Sequence, residues 1–207
     1  MLKGLLSTLP TRHPIGDVLL NRFGASVVLR LGIDPTRQPS GIVQRDITVE
    51  RNTPATRGRR VRVARTIGWG GLPFLSEEYC RRLSRTANQN DRTEEAAIGV
   101  MALLIHDLEG LAIERVGEIG SGCDYFVRPA SRRRLIPVEV SGVYAETAGG
   151  QANTRLRAKR EQVLSVNKAG YLSVTTFRHS EGGVVHSYLH YVTTSARHRT
   201  RKRRKRK

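Results

Sequence analysis

Two carboxylates sit where carboxylates are expensive. Asp124 opens the apolar run of GSGCDYFV, and Glu139 lies inside PVEVSG between Val138 and Val140. An acid in a strand that belongs in a core costs free energy unless a cation or hydrogen bonds hold it. A hairpin turning through residues 128–136 would bring the two acids onto neighbouring strands, on one face of a sheet. Carboxylates paired in this way make a hard oxygen site suited to Mg2+ or Mn2+, completed by water and a phosphate oxygen. Such an ion polarises a phosphodiester and activates water towards it. The plainer readings are a turn cap for Asp124, which follows Gly122, and a salt bridge to an arginine for Glu139.

The elements around the acids are set by periodicity. Thr93-Glu94-Glu95 opens a helical run to Leu108, with Thr93 as its N-cap and Gly110 at its end. Extended segments are expected at Leu111–Ile119, Cys123–Val127 and Leu135–Tyr144. In the third, Ile136, Val138 and Val140 share one face, while Glu139 and Ser141 share the other. A loop over Ala145–Asn153 leads to a helix, Thr154–Val166, with apolar positions Leu156, Val163 and Leu164. On that helix Arg155, Lys159 and Gln162 fall on one face. Strands Tyr171–Arg178 and Val184–Thr193 close the order: helix, three strands, helix, two strands.

Upstream, Pro14–Phe23 reads as a short helix. Ala25–Ile33, Ile42–Arg51 and Arg60–Ile67 read as strands, Gly68–Gly71 as a turn, and Leu75–Arg85 as a helix capped by Ser76. The expected class is α/β (α+β), a central mixed sheet flanked by helices. It divides into a strand-rich N-terminal region (1–91) for recognition or interaction, a core (92–194) and a disordered basic tail (195–207).

Asp124, the hairpin and PVEVSG, within that order of elements, resemble the PD-(D/E)xK superfamily of restriction-endonuclease-like nucleases over residues 90–193. The resemblance implies a metal-dependent nuclease in which Asp124 and Glu139 bind Mg2+ or Mn2+ and the Val140 carbonyl adds a ligand. It also implies a supporting acid from the first core helix, Glu95 or else Glu94. Ser141 stands where the motif has its lysine, and a serine supplies no cation. Some members carry the basic residue on the following helix, which nominates Lys159, with Gln162 holding a phosphate or a water. Without such a cation the fold would bind nucleic acid, or act as an assembly subunit, without cutting it.

Charge points to the same partner. Lys and Arg number 36 against 18 Asp and Glu, and residues 197–207 hold nine of those cations and no acid. A balance this basic favours a polyanion, here nucleic acid, with DNA ahead of RNA. The candidate contacts are Arg132, Arg133 and Arg134 at the hairpin tip, Arg155, and Arg201, Lys202, Arg203 and Arg204 in the tail. The chain is expected to work as a homodimer or as one subunit of a larger complex. Its longest apolar stretch, Ala96–Ile105, is about half of the roughly 20 residues a span needs. The opening MLKGLLSTLP lacks the apolar length of a signal peptide. Cys80 and Cys123 show no paired spacing, which suits a reducing cytoplasm.

Overall fold

The computed structural model describes residues 3–31, 45–68, 77–129, 134–144, 148–177 and 185–194. The strands are β1 (Lys3–Leu5), β2 (Arg45–Asn52), β3 (Val61–Gly68), β4 (Leu111–Val116), β5 (Tyr125–Pro129), β6 (Ile136–Tyr144), β7 (Ala169–Phe177) and β8 (Val185–Thr193). The helices are α1 (Leu9–Arg12), α2 (Asp17–Arg30), α3 (Glu77–Thr86), α4 (Gln89–Glu109) and α5 (Ala148–Val166). The strands form one mixed sheet in the order β1-β3-β2-β8-β7-β6-β5-β4. Strands β4, β5 and β6 pair antiparallel, β6 and β7 pair parallel, and β8 runs antiparallel to β7.

The parallel β6–β7 pair requires a crossover, and α5 supplies it. One face of the sheet is covered by α4, which is backed in turn by α2; α5 covers β6, β7 and β8 on the other. Val138 and Val140 enter the main core between sheet and α4, beside Val100, Leu104 and Ile113. The opposite face of β6 turns Glu139, Ser141 and Val143 towards α5, where Val143 packs with Ala152 and Val174. The expected face assignment of this strand holds.

The N-terminal expectation needs correction. Ala25–Ile33 is not a strand: residues through Arg30 belong to α2, and the start of the chain is helical apart from β1. The Val27-Val28 run signals burial and not extension, since Phe23, Ala25, Val27 and Val28 are all buried. Strands β2 and β3 do form, each ending one residue beyond the expected range, and β2 pairs with β8 in the same sheet as the core strands. The tip residues Arg132 and Arg133, the turn at 69–71, Ser76 and the tail lie outside the described residues.

Helix α4 begins earlier than its periodicity suggests. Asn88 is the cap, its side chain accepting from the Asp91 N–H at 2.9 Å, and Gly110 closes the helix in the left-handed region at φ 65°. Thr93 lies inside the helix and bonds its hydroxyl back to Gln89 O. It packs directly over Gly142, where an added Cβ would fall 2.3 Å from the Thr93 carbonyl oxygen. Gly142→Ala is therefore expected to push the start of α4 off β6 and to destabilise the fold by about 1–3 kcal/mol. Urea unfolding of the two proteins checks this, and equal midpoints would refute it.

Candidate active site

Strand β5 pairs with β6 only through Val138. Beyond that point β6 has an unpaired edge with its N–H groups at 140 and 142 facing out, and a carboxylate meets each. Asp124, one residue before β5, accepts from Val140 N–H through Oδ2 at 2.7 Å. Glu94, in the second turn of α4, accepts from Gly142 N–H through Oε2 at 2.9 Å and approaches Ser141 Oγ at 3.3 Å. In an extended strand the N–H and C=O of one residue point to the same edge, so the Val140 carbonyl also turns towards Asp124.

Glu139 lies beside this edge with no solvent exposure. From α5, Lys159 Nζ reaches Glu139 Oε2 at 2.5 Å and Asp124 Oδ2 at 3.4 Å, and Gln162 Nε2 donates to Glu139 Oε1 at 2.7 Å. One ammonium thus bridges both acids. The side chains stand where they do because Leu156 and Val163 seat α5 on Leu172 and Val192 of the sheet. With the apolar stripe held down, Lys159 and Gln162 fall on the flank that faces β6. A cavity of about 430 Å3 opens in front, bordered by Glu94, Ile98, Asp124, Tyr125, Val140 and Lys159. Asp124 keeps 37% of its side chain exposed, and its Oδ1 takes no hydrogen bond among the described residues.

The titrations follow from this crowding. Burial pushes the Glu139 carboxyl up; the Lys159 hydrogen bond opposes that and the Asp124 charge adds to it, leaving it at about 7. For Lys159, burial pulls the ammonium down, but the Glu139 hydrogen bond and the charges of Asp124 and Glu139 outweigh it, and the net shift is upward. The pair shifts the same way for different reasons: one cation faces two acids, so Lys159 keeps its proton while Glu139 is reluctant to lose its own. A raised carboxyl stabilises the fold fully below its ordinary value of 4.5 and loses that contribution as the pH climbs through about 7. The native protein should therefore lose about 1–3 kcal/mol against Glu139→Gln between pH 5 and pH 8. Parallel stability profiles in urea would contradict it.

Of the expected site residues, Asp124, Glu139, Lys159 and Gln162 are brought together, with Val140 beside them. Glu95 is not among them. It takes Arg22 at 2.5 Å and Ser26 Oγ at 2.8 Å, both from α2, and faces away from the cavity. Glu94 is the acid that borders the site, because one helical residue is a turn of about 100°. Ile98, four residues on and so on the same helical face, lines the same cavity. Arg155 is exposed and faces a second cavity of about 530 Å3 on the other side of Glu94, with Gln89, Tyr144 and Gln151. Arg134 is exposed near the hairpin, and Arg132, Arg133, Arg201, Lys202, Arg203 and Arg204 lie outside the described residues. Cys123 is buried, and burial raises its thiol pKa, which suits a packing role.

The chain has no significant match among protein-family models, curated proteins or solved structures. No described helix is long and apolar enough to cross a membrane.

Proposed function

We propose that this chain is a metal-dependent nuclease of the restriction-endonuclease-like class, acting on DNA ahead of RNA. The observation that carries the reading is a lysine from α5 lying between Asp124 and Glu139, where Ser141 offers none. The helix returns to the site the charge that the strand lacks.

The donor set fits a hard divalent ion: Asp124, Glu139 and the Val140 carbonyl would offer oxygen ligands, and Asp124 and Val140 border the cavity. Mg2+ commonly takes only one or two carboxylates, leaving its other positions to water and phosphate. When bound, Mg2+ or Mn2+ supplies Lewis-acid stabilisation of the charge that builds on the scissile phosphate. The chain's own residues do the rest. Val140 N–H fixes the rotamer of Asp124, and Gly142 N–H and Ser141 fix Glu94 at the cavity rim. Gln162 holds Oε1 of Glu139, so its other oxygen stays turned towards Lys159 and Asp124. Lys159 places a positive charge at the wall where an anionic phosphate would rest.

A second reading is a nuclease fold that binds nucleic acid, alone or within a larger complex, without cutting it. One observation favours it: both oxygens of Glu139 are already held, by Lys159 and Gln162, and the side chain is fully buried. Incubation of the full-length protein with supercoiled plasmid and Mg2+ or Mn2+ separates the two. Ion-dependent nicking supports the enzyme; salt-sensitive binding with neither ion producing a cut leaves the second reading.

A further inference from the structure

Helix α5 has two polar flanks. Lys159 and Gln162 descend on one to Glu139, while Asn153, Arg157 and Arg160 line the other at spacings of four and three. On that far side they border a cavity of about 440 Å3, separate from the catalytic cavity. Its floor is built by strand register. Glu50 of β2 lies opposite Tyr188 of β8 and opposite Arg62 of β3, and His190 follows Tyr188 on the same face. The far wall is Arg60 and Arg62, because α5 packs on β6, β7 and β8 and stops short of β3.

Four guanidiniums thus face one acid. Glu50, only 12% exposed, approaches Arg60 Nε at 3.3 Å and Arg62 Nε at 3.8 Å, yet both arginines remain more than two-thirds exposed. The acid aligns the two forks without consuming their outer donors. Arg157 has only a loose, exposed pairing with Glu161 at 3.7 Å, and Arg160 has no acid partner among the described residues. At the floor, His190 Nε2 is buried with no hydrogen-bond partner; its 3.5 Å approach to Glu50 lacks hydrogen-bond geometry. A buried polar atom left over at the base of a basic groove is what a ligand oxygen would satisfy.

We infer that this groove holds backbone phosphates of the same polynucleotide whose scissile phosphate lies across α5 at Asp124. The inference rests on the nucleic-acid partner of the proposed function, and not on cleavage. Paired guanidinium forks match phosphate oxygens. A polymer is favoured over a small anion because cations stand on both sides of one helix, about 10–12 Å wide with its side chains. Only a ligand carrying several phosphates, at a rise of about 3.4 Å each along a strand, engages both flanks.

The test is binding of the full-length protein to a fluorescein-labelled duplex over a range of salt. Arg62→Ala/Arg160→Ala should raise Kd at least about tenfold and flatten the plot of log Kd against log salt by about two phosphates. Arg62→Lys/Arg160→Lys should keep most of the wild-type slope. An alanine pair with wild-type affinity and slope overturns the groove, and a wild type that binds no duplex overturns both groove and function. Loss of slope in a protein whose wild type binds but never cuts keeps the groove and removes only the nuclease.

Discussion

Glu139→Gln is expected to lower ion-dependent plasmid cleavage by on the order of a thousandfold, equivalent to about 4 kcal/mol in the barrier. The glutamine keeps the volume of a fully buried side chain and still accepts from Lys159, so the strand and α5 stay in place. What it lacks is the second negative charge beside Asp124, one of the two carboxylates that the site would offer a divalent ion. Glu139→Ala is the poorer probe. It leaves Lys159, 18% exposed, without its shortest partner, and breaking a buried pair from one side costs about 3–5 kcal/mol in stability. Initial nicking rates at saturating Mg2+, read beside thermal melts, separate the chemical loss from the structural one. A glutamine variant within tenfold of wild type, with its melt unchanged, removes Glu139 from the site.

The second large effect belongs to Lys159. Lys159→Met retains the apolar stem that packs beneath α5 and deletes only the ammonium. Asp124 and Glu139 then face each other with no cation between them, and Glu139 holds its proton to still higher pH. Cleavage should fall by about a hundredfold to a thousandfold, the usual cost of losing one group that stabilises developing charge. Position 141 offers a matching gain. Ser141 lies two residues from Glu139 on the same face of β6, so Ser141→Lys in the Lys159→Met background should recover at least about tenfold of the lost rate. Full activity in Lys159→Met alone would show that the helix lysine is not the missing cation.

How far the sequence revealed this arrangement differs by element. The order from α4 to β8 was legible because its strands are bounded by glycine and proline and its helix by Gly110. The face split of β6 follows from alternation, and the appearance of Lys159 and Gln162 on one helical flank follows from their spacing of three. Helix α2 resembles a strand in sequence because α4 and α3 bury it over Phe23–Val28, which leaves that stretch no polar stripe, and Val27-Val28 then mimics a strand. The exchange of Glu95 for Glu94 had a different origin. Two adjacent acids at a helix start look alike in sequence, and only Arg22 and Ser26, about seventy residues upstream, decide which one is held elsewhere. The groove at Glu50 depends on β2 joining β8, a pairing between distant segments that no local pattern announces.

Asp124 and Glu139 stand on the sheet, but the cation between them belongs to a helix that rests on the sheet through a narrow apolar footing of Ala152, Leu156 and Val163. Local undocking of one peripheral helix needs less free energy than global unfolding. Each time α5 lifts, the sheet keeps Asp124 and Glu139 in place but loses Lys159 and Gln162, the two groups that hold Glu139. The constellation is thus conditional on tertiary docking: a lysine fixed in the strand would be present whenever the strand is, whereas this one stands between the two acids only while α5 is docked.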